Sequence, residues 1–211
     1  MSDPKRQVAA EHYDVGSYDT LDRWISYWYQ VRMLAAVGGK SVLHVGVGNG
    51  TVPWLLRTQL GMDVTTTDYD ARLNPDITAD VRALDAQFEA KQFDVVCAFQ
   101  VLEHLPFSDF EGALRQLARV ARQHVVFSIP NNGKTVALRL DVGGHKLAIG
   151  RKIPLNRSWA FDGQHHWEVG TRGHSAAAVR AVVERVAPIE REEVYADYPY
   201  HRAFVLSLPG A

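Results

Sequence analysis

Cysteine and long apolar runs are scarce in this sequence. The single cysteine, Cys97, stands in an apolar stretch, so a disulfide within the chain and a cysteine-rich zinc site are both excluded. A run of about 18 apolar residues, which a membrane span would need, is absent, and residues 1–14 lack the apolar segment of a signal peptide. We therefore expect a cytoplasmic protein with no membrane partner.

A charge excess of either sign is also lacking. The 23 Lys and Arg residues nearly balance the 24 Asp and Glu residues, which gives a formal net charge of −1. Because nucleic-acid-binding domains usually carry a basic surface, we expect no nucleic-acid partner. The 211 residues, of which 46% are hydrophobic, suffice for one domain with a substantial core.

Residues 41–56, SVLHVGVGNGTVPWLL, contain three glycines at alternate positions but no phosphate-binding motif. A G-x-G-x-x-G dinucleotide motif would require glycine at Thr51 or Pro53, and GGKS at 38–41 would require one at Leu34 to form a phosphate loop. This spacing disfavours a nicotinamide-dependent oxidoreductase, which we keep as an alternative.

The periodicity of the chain predicts an α/β fold. An N-terminal helix begins after Asp19 and ends at Gly38, and Trp24 and Trp28, one turn apart, are expected to pack in the core. Strands are predicted near 42–45, 62–68, 93–99 and 124–129, and helices near 52–60, 81–90 and 110–121. This alternation is typical of βαβ units and a parallel sheet.

The last part of the chain predicts a helix near 179–186 and two strands near 192–195 and 203–208. The linker between these strands, ADYPYHR, is too short for a helical crossover. The two strands must therefore form a hairpin, with one of them antiparallel to the rest of the sheet.

The stretch HVGVGNG at 44–50 resembles the first motif of class I S-adenosylmethionine-dependent methyltransferases, acidic-x-G-x-G-x-G. Further segments resemble the same family in order: Asp68 at the end of the second strand, TADV at 78–81, FDVVCAFQVLEHLP at 93–106, VVFSIPN at 125–131, and YPYHRAFVL at 198–206. The resemblance covers roughly residues 40–208.

The resemblance implies the Rossmann-like class I methyltransferase fold. This is a mostly parallel seven-stranded sheet with an antiparallel last strand and helices on both faces. The single domain would comprise an N-terminal helical cap (1–38), the Rossmann-like core (41–208) and a lid or acceptor insertion (131–172). The cofactor would be S-adenosyl-L-methionine, and the protein would be a methyltransferase enzyme.

The resemblance also assigns the cofactor-binding residues. Asp68 would bind the ribose hydroxyls, as a carboxylate can accept two hydrogen bonds, and the glycines would let the backbone approach the cofactor closely. Asp80 would meet the adenine, although a simple helix cap is an alternative for it. The full set is His44, Gly46, Val47, Gly48, Gly50, Asp68, Tyr69, Asp80, Val81 and Gln100. His44 departs from the family, which has an acidic residue there.

Candidate acceptor-side residues lie in four places. His104 and His166 are candidate catalytic bases, because the unperturbed pKa of histidine lies near neutrality. Tyr13, Tyr18, His165 and Arg151 are candidate substrate contacts. His165 and His166 with Glu168 suggest a metal, but adjacent histidines point apart and no third ligand stands at a suitable spacing. We therefore expect no metal.

The segment 142–160 contains no acidic residue and carries Lys146, Arg151, Lys152 and Arg157. A basic lid of this kind favours an anionic acceptor. We expect methyl transfer to a small molecule, at oxygen rather than nitrogen, by a monomer or homodimer. A non-catalytic methyltransferase-like binding subunit is the other alternative.

Overall fold

The computed structural model describes residues 18–209, so the predicted substrate contact Tyr13 lies outside the described residues. The side chain of Lys146 lies outside them as well. The helices are α1 (Leu21–Val37), α2 (Thr51–Gln59), α3 (Phe107–Val120) and α4 (Ala176–Glu184). The strands are β1 (Ser41–Val45), β2 (Asp63–Asp68), β3 (Ile77–Thr78), β4 (Phe93–Phe99), β5 (Ala121–Pro130), β6 (Lys134–Val142), β7 (His145–Ile153), β8 (Ile189–Val194) and β9 (His201–Ser207).

The main sheet has seven strands in the order β3-β2-β1-β4-β5-β9-β8. β1 to β5 pair in parallel, whereas β9 is antiparallel to both of its neighbours, β5 and β8. The predicted fold class, including the antiparallel last strand and the closing hairpin, is confirmed. The chain reverses its strand order between β1 and β4, which is where such sheets bind ligands.

Helices cover both faces of the sheet. In β4, Val96 and Ala98 join the apolar cluster beneath α3 and α4, while Val95 and Cys97 join the cluster beneath α1 and α2. This is why β4 reads as a continuous apolar run: side chains on both of its faces are buried. Cys97 is completely buried.

Three local predictions are wrong. The helix expected over 81–90 is a pair of 3-10 turns over Val81–Ala86, interrupted at Ala83, whose φ of −141° is not helical. Trp24 and Trp28 are 48% and 59% exposed, because α1 turns Tyr27, Met33 and Leu34 toward the sheet instead. The helix is capped by the Thr20 side chain, which accepts a hydrogen bond from Arg23 N, rather than by Asp19.

Strands β6 and β7 form a separate antiparallel ribbon, which the sequence analysis treated only as a basic lid. Gly150 packs so closely on the backbone of Ala196 that a Cβ would collide with its carbonyl oxygen. The opposite face of the ribbon carries apolar side chains that are about half exposed. These are Val136, Leu138, Leu140, Val142, Leu147, Ile149 and Ile153.

No helix within the described range is both long and apolar enough to cross a membrane.

Candidate functional site

The glycine loop follows β1 at the carboxyl edge of the sheet. Gly46, Gly48 and Gly50 have φ values of 82°, 57° and 78°, in the left-handed region that favours glycine. A Cβ at Gly46 would lie 2.5 Å from Cγ2 of Val101, the second residue after β4. The loop therefore needs glycine for its backbone path, and at Gly46 also for its approach to the end of β4.

Asp68 is the last residue of β2 and is buried beside this loop. Its Oδ2 accepts a hydrogen bond from Val47 N and its Oδ1 accepts one from Asp70 N, both at 2.9 Å. Burial raises the pKa of Asp68, and these two backbone bonds oppose that rise. Each carboxylate oxygen has a second lone pair, so the side chain can still accept hydrogen bonds from a ribose diol.

His44 lies inside β1 with 4% of its surface exposed. Neither ring nitrogen has a hydrogen-bond partner among residues 18–209, and burial lowers its pKa to about 4, so the ring is neutral. Buried polar groups are rarely left without a partner. A ring of this kind fits a donor on the methionine portion of the cofactor, and that contact stays a prediction.

The other predicted cofactor residues also follow strands at the carboxyl edge of the sheet. Asp80 caps the turn at Val81 and pairs with Arg82, so the capping alternative is realised, although a further adenine contact stays a prediction. Tyr69, directly after Asp68, is 40% exposed. Gln100, with a positive φ of 55°, follows β4 and donates from Nε2 to Ser128 Oγ.

The start of α1 is fastened to the glycine loop. Tyr27 Oη donates to Asp19 Oδ1 at 2.9 Å, and Asn49 Nδ2 donates to the same oxygen at 2.8 Å. Tyr18, just before these residues, carries the Arg23 guanidinium over its ring at 4.2 Å. The N-terminal segment thus borders the predicted cofactor site. The contribution of Asn49 was missed, because an asparagine within a glycine loop is also an ordinary turn residue.

A second group of polar residues forms where the segment after β4 meets the segment before α4. Three hydrogen bonds join these segments: His166 N to the Glu103 carbonyl, His104 Nδ1 to the Gln164 carbonyl, and Trp167 Nε1 to the Leu105 carbonyl. The Trp167 indole is completely buried against Phe107 and Phe110. This packing fixes the two segments against each other.

We call Glu103, His104, His165, Glu168 and Tyr200 the polar cluster. His165 Nδ1 lies 2.9 Å from Glu168 Oε1, which also accepts from Tyr200 Oη at 3.1 Å. His165 Nε2 lies 4.0 Å from Glu103 Oε1. Glu103 is fully buried, and both of its carboxylate oxygens lack a hydrogen-bond partner in the described part of the chain. The cluster begins at Glu103, two residues after Val101, whose side chain lies against Gly46 of the glycine loop.

Burial shifts the pKa values of the titratable groups in this cluster. It raises the pKa of Glu103 to about 8 and lowers the pKa of His104 to about 4, where nearby His165 adds to the effect. Burial also opposes protonation of His165, but Glu168, Glu103 and Asp162 outweigh it and raise that pKa. The cluster therefore places a neutral imidazole beside a histidine that carboxylates favour in its charged form.

The structure brings together only some of the predicted acceptor residues. His104 and His165 lie in the polar cluster, whereas His166 is exposed, stacks on Phe161 at 4.4 Å and lies outside it. Arg151 is exposed on the apolar face of the ribbon, opposite Val136. Glu168 and Tyr200 were not predicted as site residues. The i, i+3 spacing of His165 and Glu168 was the available signal for one of them.

Comparison with known proteins agrees with this architecture. A family model described as "Methyltransferase domain" matches residues 22–174. Among solved structures, the PH0226 protein from Pyrococcus horikoshii OT3 has a TM-score of 0.63 and 15% identity, covering 95% of this chain and 96% of that one. No curated protein matches the sequence significantly.

Two further structures show the same fold. Magnesium protoporphyrin IX methyltransferase from Synechocystis PCC 6803, with S-adenosylhomocysteine bound, has a TM-score of 0.60 and 17% identity, covering 89% of this chain and 84% of that one. The glycopeptide N-methyltransferase MtfA, also with S-adenosylhomocysteine, has a TM-score of 0.57 and 14% identity, covering 88% and 89%.

The strand order, the glycine loop and the acid at the tip of β2 define the class I methyltransferase fold. The chain belongs to the methyltransferase-domain family, and it is an S-adenosylmethionine-dependent methyltransferase. This membership excludes the nicotinamide-dependent oxidoreductase considered from the sequence. The bound cofactor supplies a methyl group already activated by a sulfonium, so the chain mainly has to align the acceptor with it.

Proposed function

We propose that this methyltransferase methylates an oxygen atom of a small-molecule acceptor that carries an anionic group. The observation that carries the proposal is the polar cluster, which begins at Glu103, two residues after Val101, the residue that lies against Gly46 of the glycine loop. Its carboxylate and imidazole groups are hydrogen-bond acceptors that can orient a hydroxyl and receive its proton.

The buried carboxylates favour oxygen over nitrogen as the methylated atom. A carboxylate stabilises a neighbouring ammonium ion and so keeps an amine protonated, which removes the lone pair that must attack the methyl group. A hydroxyl has a lone pair in its neutral form and can donate its hydrogen to a histidine of the cluster. An amine acceptor is the second candidate, supported by the fold shared with a glycopeptide N-methyltransferase.

The anionic group of the acceptor is proposed from a basic cavity beside the cluster. A cavity of about 400 Å³ lies between the ribbon and the end of the main sheet, and Arg151, Lys152 and Arg202 line it; of these, Arg202 is paired with Glu192. Lys152 Nζ donates to the Gly133 carbonyl and lies 5.5 Å from the ring of Tyr200, a member of the cluster. A carboxylate or phosphate bound here would leave the rest of a small acceptor beside the cluster.

The test uses matched pairs of small aromatic carboxylates that differ only in a hydroxyl or an amino group. S-adenosylhomocysteine release and product mass are measured for each pair. We expect oxygen-methylated products, with the hydroxyl member of a pair turned over at least about 10-fold faster, which corresponds to about 1.4 kcal/mol. A consistent preference for the amino members would overturn the proposal in favour of N-methylation.

The two adjacent histidines provide a sharper test of the site. His165→Gln should lower kcat by about 100-fold or more, since it removes a member of the cluster. The same change at the exposed residue His166 tests the original sequence prediction. Loss of activity only in the His166 variant would show that the polar cluster is not the acceptor site.

We also propose that the chain forms a homodimer through the apolar face of the ribbon. The seven apolar residues of this face are each about half exposed or more, and a large contiguous apolar patch on a protein surface marks an interaction site. A two-stranded ribbon alone is only marginally stable, so the contact would also support the ribbon.

A further inference from the structure

We propose that Glu103, His104 and His165 bind a divalent transition-metal ion. The sequence analysis expected no metal, because His165 and His166 point apart and no third ligand follows at a suitable spacing. The fold supplies the other two ligands from a distant segment, the turn after β4. One ligand atom from each of the three residues lies within 4.8 Å of the other two.

The three ligand atoms lie farther apart in this structure than they would around a bound ion. Ligand atoms around an ion at about 2.0–2.2 Å lie roughly 3–3.5 Å from one another. His165 Nε2 and Glu103 Oε1 are 4.0 Å apart, so this pair has to close by up to about 1 Å on binding, and a pair at the 4.8 Å limit by up to about 1.8 Å. The three residues belong to turns rather than to the sheet.

The two histidines are held by outer hydrogen bonds from Nδ1. His165 lies with Nδ1 2.9 Å from Glu168 Oε1, and His104 lies with Nδ1 2.9 Å from the Gln164 carbonyl. Since both partners are acceptors, Nδ1 donates in each case, and in His165 the lone pair is on Nε2, the nitrogen that lies 4.0 Å from Glu103 Oε1. An outer hydrogen bond from the second ring nitrogen is the usual arrangement around metal-bound histidine.

Glu168 is itself held in place for this role. Asn132 Nδ2 donates to its Oε2 at 2.7 Å, and Tyr200 Oη donates to its Oε1. The carboxylate therefore acts as a positioning residue for the His165 ring rather than as a ligand.

Glu103 provides the independent observation that points to a cation. It is fully buried, and neither carboxylate oxygen has a hydrogen-bond partner within the described residues. A buried carboxylate without a partner is costly, and a bound cation would supply both the missing charge and the missing partner. The other buried carboxylate nearby, Glu168, is fully hydrogen-bonded and needs no such ion.

The ligand types select the class of ion. Two imidazoles and one carboxylate suit zinc, manganese or iron, whereas magnesium and calcium prefer oxygen ligands. Three protein ligands leave a coordination position open. If the proposed O-methylation holds, that position would take the acceptor oxygen and lower the pKa of its hydroxyl, so this role of the ion rests on the proposed function.

Binding is measured on the full chain, first treated with a chelator, without cofactor or acceptor. Titration with zinc and manganese should give one saturable site. Cobalt should give visible absorption bands that report coordination by histidine. His165→Gln and Glu103→Gln should each weaken binding by about 100-fold or more, and Glu168→Gln by about 10- to 100-fold. His166→Gln, outside the cluster, should bind as the wild type does.

Circular dichroism and thermal unfolding confirm that each variant is folded. Glutamine has nearly the shape of glutamate, so Glu103→Gln should keep the local packing. The proposal is overturned if no ion binds saturably, if only magnesium binds, or if the Glu103 and His165 variants bind like the wild type. Because this assay needs no methyl transfer, its failure leaves O-methylation intact, and saturable binding in a protein that methylates only amines would refute the O-methylation alone.

Discussion

Val47 donates its backbone N–H to Oδ2 of Asp68 at 2.9 Å, which ties the glycine loop after β1 to the last residue of β2. The two elements that the family uses for its cofactor are therefore mechanically coupled in this chain. The sequence placed both residues at the carboxyl edge of the sheet, but only the structure shows that one orients the other.

Asp68→Asn should weaken S-adenosylmethionine binding by about 1–3 kcal/mol, roughly 10- to 100-fold, since it removes the charge that accepts the ribose hydrogen bonds. Asparagine keeps one oxygen for Val47 N, so the loop should stay in place. Isothermal titration measures the affinity, with Asp63→Asn at the exposed start of β2 as the control. An unchanged affinity would remove Asp68 from the cofactor site.

Gly46→Ala should destabilise the fold more than Gly50→Ala. Both residues have φ near 80°, which costs a side chain about 1–2 kcal/mol, but only at Gly46 would the new Cβ meet a neighbour, Val101 Cγ2 at 2.5 Å. Overpacking of this kind adds about 1–3 kcal/mol. Urea unfolding compares the two variants.

A second substitution, at Val101, tests whether this contact causes the loss of stability. Val101→Ala in the Gly46→Ala background should recover most of the difference in unfolding free energy, because it removes the methyl group that collides. Equal losses in Gly46→Ala and Gly50→Ala, or no recovery in the double variant, would show that the contact with Val101 does not determine this loop.

His201 should make the protein less stable as the pH falls. It is buried with Nδ1 2.9 Å from Ser26 Oγ, and burial lowers its pKa to about 3, compared with about 6.5 in the unfolded chain. Between pH 6.5 and pH 3, His201 is protonated in the unfolded chain but stays neutral in the folded chain. The free energy of unfolding therefore falls until the pH reaches about 3, by about 2 kcal/mol between pH 7 and pH 5.

His201→Asn keeps a neutral polar group toward Ser26 and should flatten that pH dependence by about 2 kcal/mol over the same interval. Chemical unfolding at pH 7 and pH 5 measures it. His145→Asn, at the exposed end of the ribbon, serves as the matched control and should leave the slope unchanged. A slope that is identical in the His201 variant and the wild type would contradict this assignment.

Leu138→Glu should convert the proposed homodimer into monomers, because Leu138 lies opposite Ile149 at the middle of the apolar face. A desolvated carboxylate at the centre of an interface is strongly unfavourable. Light scattering after gel filtration measures the mass across a range of concentrations. As the control, Thr135→Glu adds the same charge to the other face of the ribbon and should leave the dimer intact. A wild-type chain that is monomeric at every concentration would contradict the proposed homodimer.

The parts of the fold that could be predicted depend on local patterns. β4 was predicted at its observed bounds, because burial on both faces makes every residue from Phe93 to Phe99 except Asp94 apolar. The antiparallel end of the sheet followed from the short linker between the last two strands. Trp24 and Trp28 were misplaced for a related reason. Helical spacing identifies a stripe of residues, but α1 has two apolar stripes, and the sheet contacts only the one with Tyr27 and Leu34.

The residues of the candidate site were likewise predictable only where a local sequence pattern marks them. The glycine loop and Asp68 were found because their residues are close together or stand at strand ends. The polar cluster was found only in part. His104 and His165 were singled out separately, while Glu103 was considered structural and Tyr200 was overlooked. No periodicity relates these residues, since they lie on segments that meet only through the packing of Trp167.

The sequence by itself determined the class of enzyme, the order of its elements and the position of the glycine loop, since short-range steric and hydrophobic patterns encode all three. Tertiary structure alone decided which side chains meet in the polar cluster and which face of the ribbon is exposed. Those outcomes depend on contacts between distant segments. Their energies arise only when the chain has closed on itself and water has been excluded between them.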